Sequence, residues 1–149
     1  MSSADVEFAA FYRGELAGQV RRAFLMLGDN EQANDVVNEA MVAVYRNWGA
    51  LETPGAYLNR AVLNGCRDAG RRRVTSARLL HRLVPNGAAA TPDVLSDVLA
   101  SLPFNHRAAL VLRYYAGYTT SEISDALGCA PGSVGPWIER GLAAMRKVL

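Results

Sequence analysis

Apolar residues recur along this chain at spacings of three and four, the period of a helix that buries one face. Phe8, Phe11, Tyr12, Leu16, Val20, Ala23, Phe24 and Leu27 form the first such stripe, and Gly28 closes it. Asp29, with Gln32 three residues on, reads as the start of a second helix. Its stripe is Ala33, Val36, Val37, Ala40, Met41, Val44, Tyr45 and Trp48, ending before Gly49. Thr53 and Pro54 supply an N-cap and a first helical residue for a third helix, expected to run to about Arg73. The stretch from Leu79 to Pro92 contains LVPNGAAATP, which breaks any period and predicts a linker; Asp93 restarts helix and Pro103 punctuates it. No strand-like alternation competes. The pattern predicts an all-α chain of two small helical domains, residues 1–75 and 93–149, joined by a flexible linker at 76–92.

The last domain has a tighter grammar. Leu110, Val111, Leu112 and Tyr114 predict a buried helix that Gly117 ends. Thr119 and Glu122 then form a T-x-x-E capping box, Ile123, Ala126 and Leu127 share one face, and Gly128 turns the chain into a final helix. This is a helix-turn-helix pattern. Its second helix is unusual, because Pro136 lies too deep for a helix starting at Pro131: a proline there loses an N–H bond and clashes with the preceding turn, at about 3 kcal/mol. The expectation is therefore a later start, with Ser133 as N-cap and Pro136 in the first turn.

Composition narrows the function classes. Half of the 149 residues are apolar, enough for a folded core. Net charge is only +2, but it is unevenly placed. Between Ala23 and Asn59, Asp29, Glu31, Asp35, Glu39 and Glu52 face the single Arg46. Between Arg67 and Arg82, Arg67, Arg71, Arg72, Arg73, Arg78 and Arg82 stand against Asp68 alone. The basic run is an electrostatic footprint for phosphate, which the acidic stretch would repel, so the acidic stretch implies a different partner. There is no apolar run long enough to insert in a membrane and no signal-peptide pattern in MSSADVEF, so a cytoplasmic protein is expected. Cys66 and Cys129 lie far apart in apolar patterns, with only His81 and His106 as imidazoles; they read as bystander thiols, with no metal site and no cofactor. No paired carboxylates, activated nucleophile or phosphate-cradling glycine loop points to an enzyme.

Two helix faces carry candidate chemistry. On the second helix, Asp35, Asn38, Glu39, Val42 and Arg46 lie opposite the apolar stripe, a mixed acidic and apolar face that suits a basic protein surface. An ordinary solvated face is the competing reading. On the third, Arg60, Asn64, Arg67 and Arg71 fall at spacings of four, three and four on one side, the composition of a strand or groove reader. Trp48 and Tyr57 just upstream are flat side chains able either to stack on an unpaired base or to fill core.

The order of these elements, from FYRGELAGQVRRAFLMLGDNEQANDVVNEAMVAVYRNWGALETPGAYLNRAVLNGCRDAGRRR to LPFNHRAALVLRYYAGYTTSEISDALGCAPGSV, resembles the extracytoplasmic-function (group IV) sigma factors of bacterial RNA polymerase over nearly the whole chain. The resemblance implies a sigma-2-like first domain and a sigma-4-like second. It makes Asp35, Asn38, Glu39, Val42 and Arg46 contacts to core RNA polymerase. It makes the loop around Leu51, with Trp48, Tyr57, Arg60, Asn64, Arg67, Arg71 and Arg72, the reader of a melted minus-ten element of promoter DNA. It also implies an anti-sigma protein as a partner. The chain departs from the family in the recognition helix, where Gly135 and Trp137 occupy the usual lysine and arginine positions. Arg113, Ser133, Trp137 and Arg140 are left as minus-thirty-five or partner contacts, with Trp137 packing on DNA, anchoring a protein, or turning into the core. Three readings stay open: a promoter-specificity subunit, a duplex-binding regulator that never meets polymerase, and a sigma-like adaptor that has given up the upstream DNA contact.

Overall fold

A computed structural model describes residues 2–80 and 94–148, and of residues 71–80 and 94 the backbone alone. Among these the secondary structure is wholly helical. Helix α1 (Ser3–Leu27) and helix α2 (Asn30–Arg46) form a hairpin, followed by a short 3-10 turn (Trp48–Ala50) and helix α3 (Pro54–Leu80). Helices α4 (Val94–Ala100) and α5 (Phe104–Leu110) come next; α5 continues as a π-helical turn (Val111–Tyr115), and α6 (Thr120–Leu127) and α7 (Pro131–Val148) complete the chain. Contacts divide the chain into two compact units, Met1–Arg67 and Asp68–Leu149, the boundary falling inside α3.

The hairpin forms where the sequence signals it. Gly28 takes the left-handed conformation (φ 72°) and its N–H bonds Phe24 O, while the Asp29 side chain accepts from the Gln32 N–H at 3.0 Å. The core of the first unit joins Ala23, Met26 and Leu27 of α1, Ala33, Val37, Met41 and Val44 of α2, and Leu58, Val62 and Cys66 of α3. Burial pushes the Cys66 thiol up to about 12, so it stays protonated and unreactive. Helices α2 and α3 meet closely: a Cβ on Gly65 would lie 2.7 Å from Val36 Cγ1. A polar link also joins α1 to α3, where Gln19, 3% exposed, donates from Nε2 to Asn59 Oδ1 at 2.5 Å and Arg22 donates to the same oxygen at 2.9 Å.

In the second unit, Leu99, Leu102, Ala109, Leu112, Ile123, Val134 and Ile138 are buried. The predicted capping box is present in both directions: Glu122 N–H donates to Thr119 Oγ1 at 3.1 Å and Thr119 N–H donates to Glu122 Oε1 at 3.0 Å. That bond holds the Glu122 carboxyl below the usual carboxylate range. The turn is clasped by Ser124, whose hydroxyl donates to Cys129 O at 2.7 Å, and by Gly128 at φ 66°.

Three expectations are corrected. Helix α3 runs to Leu80 rather than Arg73, so residues 76–80 of the expected linker are helical; no glycine or proline interrupts the sequence until Pro85. The remainder of that linker, with Asp93, lies outside the described residues. Tyr114 is not buried but 65% exposed, because the π turn closes through Ala116 N–H to Val111 O and slips the apolar stripe by one residue. Helix α7 starts at Pro131, not after Ser133, and Pro136 sits inside it. Two glycines make that tolerable. Gly135, lacking a Cβ, relieves the clash that a residue before proline suffers in helical conformation. The carbonyl of Gly132, which Pro136 cannot bond, lies on an exposed stretch where water can bond it.

Candidate functional site

Helix α2 presents its outer face as the spacing predicts. Asp35, Asn38, Glu39, Val42 and Arg46 are all exposed, and Val42 is 48% exposed although aliphatic. The structure adds one residue that the periodicity had assigned to the core. Tyr45 is 52% exposed, with its ring edge-on to Phe8 at 5.0 Å and its hydroxyl donating to Asp5 Oδ1 at 2.9 Å. That bond lowers the Asp5 pKa and raises that of Tyr45. Tyr45 follows Val42 by three residues, so it continues the exposed row; the sequence missed it because a tyrosine fits either side of a helix boundary.

Helix α3 carries the basic face. Arg60 and Asn64 are exposed and Arg67 is half-buried on the same side, while Leu58, Val62 and Cys66 occupy the buried one. Arg71 and Arg72 continue along the same helix, their side chains outside the described residues. Tyr57 and Leu51 are half-buried at its start. Trp48 is half-buried as well, and its ring is engaged by Phe8 at 5.5 Å and Phe11 at 5.2 Å. An aromatic cluster thus fixes the turn that leads into the basic helix.

On the second unit the candidate residues divide. Arg113 is committed to the helix-turn-helix itself, donating to Tyr118 O at 3.1 Å and to Thr120 Oγ1 at 2.6 Å. Ser133 is half-buried, and Arg140 is exposed. Trp137 is half-buried against His106 of α5, with ring centroids 6.1 Å apart and planes tilted by 32°. Desolvation, with the charge of Arg140 second, pushes the His106 pKa below the ordinary histidine value. His106 was not singled out from sequence, because nothing in its spacing marks a residue from one helix as a neighbour of the tip of another. Among the described residues no group of three or more His, Cys, Asp or Glu side chains could hold a metal, and no helix is long and apolar enough to cross a membrane.

Comparison with known proteins gives a consistent result. Residues 12–76 match the family described as sigma-70 region 2, and residues 93–145 match sigma-70, region 4. The chain is 28% identical over 153 residues to the RNA polymerase sigma-E factor of Streptomyces avermitilis, covering 97% of this chain and 86% of that protein. It is 29% identical over 161 residues to the ECF RNA polymerase sigma factor SigL of Mycobacterium tuberculosis, covering 94% and 87%. In fold it is similar to the sigma factor RpoE crystallised with the anti-sigma factor NepR from Bartonella quintana, with a TM-score of 0.75 at 17% identity over 95% of this chain and 96% of that one. It is also similar to CnrH in complex with the cytosolic domain of CnrY, with a TM-score of 0.67 at 22% identity over 95% and 86%.

Proposed function

The chain belongs to the extracytoplasmic-function sigma factors of the sigma-70 family and acts in transcription initiation, and we propose that it divides that work among three surfaces. The exposed face of α2 docks core RNA polymerase through Asp35, Asn38, Glu39, Val42 and Arg46. The face of α3, with Arg60, Asn64, Arg67, Arg71 and Arg72, holds the melted minus-ten strand, and Leu51, Trp48 and Tyr57 shape the loop that receives its base. The C-terminal helix-turn-helix, through Ser133, Trp137 and Arg140, meets the upstream element, with Arg113 bracing its turn. Residues 1–75 and 93–149 are the two functional domains in this reading.

One observation carries it: an acidic, partly apolar face on α2 and an arginine–asparagine face on α3 are both exposed within one small unit. A duplex-binding regulator has use for the second face alone, whereas a promoter-specificity subunit needs both, one for protein and one for phosphate. Capturing an unpaired base costs a few kcal/mol of unstacking, and a basic surround on a rigid helix offsets it. The protein has no catalysis of its own in this reading and works in the cytoplasm, where polymerase is. A protein inhibitor that covers one or both units fits the same surfaces, as the similar sigma factor RpoE was crystallised with an anti-sigma factor.

Run-off transcription with purified bacterial core polymerase, on templates varied at both promoter elements, tests the assignment. Initiation that depends on the added protein and on minus-ten sequence is expected. Core binding without initiation would transfer the chain's role to an adaptor, and binding to duplex alone to a simple regulator. Trp137→Ala is expected to reduce selection of upstream bases; full selection together with a lowered melting temperature would leave Trp137 as packing only.

A further inference from the structure

We propose that His106, Trp137 and Arg140 form one composite contact to a backbone phosphate of upstream duplex DNA, and that His106 takes up a proton as the contact forms. The inference rests on the reading of the C-terminal unit as a duplex-binding module and adds a residue and a chemistry to it. The tip of α7 has no charge to offer: Pro131, Gly132, Gly135 and Pro136 are exposed and uncharged, and Arg140 is the first cation along the helix. Among the described residues Arg140 has no hydrogen-bond or ion-pair partner. It follows Trp137 by three residues, so the two side chains are neighbours on one face. The ring of His106, from a different helix, stands against Trp137 at 6.1 Å and so brings a second group able to become a cation to the same place.

In the free protein burial, and second the charge of Arg140, hold the His106 pKa below the ordinary histidine value and favour its neutral form. A phosphate set between His106 and Arg140 reverses the balance, because an anion favours the charged form of both. The indole stands beside the imidazole, with planes tilted by 32°, and its N–H is a further donor for an anion. Of the other charged groups on the elements around His106, Glu139 of α7 and Asp97 of α4 are exposed. Arg107 turns to the carbonyls of Ala100 and Leu102, and Arg113 is held by Tyr118 and Thr120. The charge acting on His106 is that of Arg140.

The sign of the pH effect follows. His106 is neutral in the free protein at neutral pH and charged against phosphate, so duplex affinity rises as pH falls through the region around and below 6.5, the ordinary histidine value, and is independent of pH well above it. A one-unit upward shift of His106 on binding corresponds to a tenfold gain at the acid end.

The test uses holoenzyme assembled from core polymerase and the full chain. Its affinity is measured for a promoter fragment with upstream duplex and for the same fragment truncated before it, at about pH 6 and about pH 7.5. The ratio of the two affinities isolates the C-terminal unit from pH effects on polymerase. For the unaltered chain the ratio is expected to rise roughly threefold to tenfold at the lower pH. In His106→Gln that rise should vanish. In Arg140→Gln the slope of log affinity against log salt should fall by about one phosphate's share, roughly 0.9. A ratio above one that is the same at both pH values, or a rise that persists in His106→Gln, overturns the proposal and leaves the duplex-binding reading intact. A ratio of one at both pH values overturns both and assigns the His106–Trp137 surface to a protein partner.

Discussion

Asp35→Lys combined with Glu39→Lys is expected to weaken binding of this protein to core polymerase by roughly a hundredfold or more, equivalent to about 3 kcal/mol. Both side chains are exposed on the outer face of α2 and neither contributes to the core, so the fold should survive the change. They are also one turn apart, so their reversal converts the centre of the face from acidic to basic and sets like charge against a basic partner surface. The measurement is a titration of labelled protein with core polymerase at low and high salt, with circular dichroism of the variant as a folding control. Loss that shrinks as salt rises would identify electrostatic docking. Full affinity in a folded variant would remove this face of α2 from the interface and place the polymerase contact elsewhere on the chain. Val42→Ala should give a smaller loss with little salt dependence, since its contribution is desolvated area.

A large stability effect of a single methyl group is expected at Gly65. Gly18→Ala, in the exposed middle of α1 with nothing within 4 Å of the added Cβ, should stabilise the first unit by about 1 kcal/mol through helix propensity alone. Gly65→Ala gains the same propensity but drives its Cβ to 2.7 Å from Val36 Cγ1, and a valine in a helix has little rotamer freedom with which to yield. It should therefore fall about 1–3 kcal/mol below Gly18→Ala. Urea denaturation of the two variants beside the parent reads the difference directly, and the parent cancels the unfolded-state term to first order. Equal midpoints for the two variants would mean that α2 and α3 separate freely, which would also loosen the geometry between the polymerase-facing and DNA-facing helices.

Much of the fold is legible in the chain, for local reasons. The glycines at 28, 117 and 128 mark the left-handed closures that they make, and Asp29 and Thr119 cap the helices that they precede. Such features depend on residues within one turn of each other, so spacing alone specifies them. The acidic face of α2 and the basic face of α3 were legible for the same reason. What failed was wherever a local rule met a distant neighbour. Tyr114 left the core because a π turn shifted the register, and Tyr45 left it because Asp5, forty residues away, gave its hydroxyl a partner at the surface. Pro136 stayed inside α7 because glycine at 135 lacks the Cβ that would clash, and the unbonded Gly132 carbonyl lies on an exposed stretch open to solvent.

The sequence by itself determined that this protein is helical, where most of its helices begin, and which of their faces are acidic, basic or apolar, because helical periodicity and capping act over three or four residues. Only the tertiary structure decided which side chains meet across helices: Gln19 and Arg22 with Asn59, Trp48 with Phe8 and Phe11, and His106 with Trp137. Those contacts join residues far apart in the chain, and their existence depends on how packed helices settle against one another rather than on any pattern within a single helix.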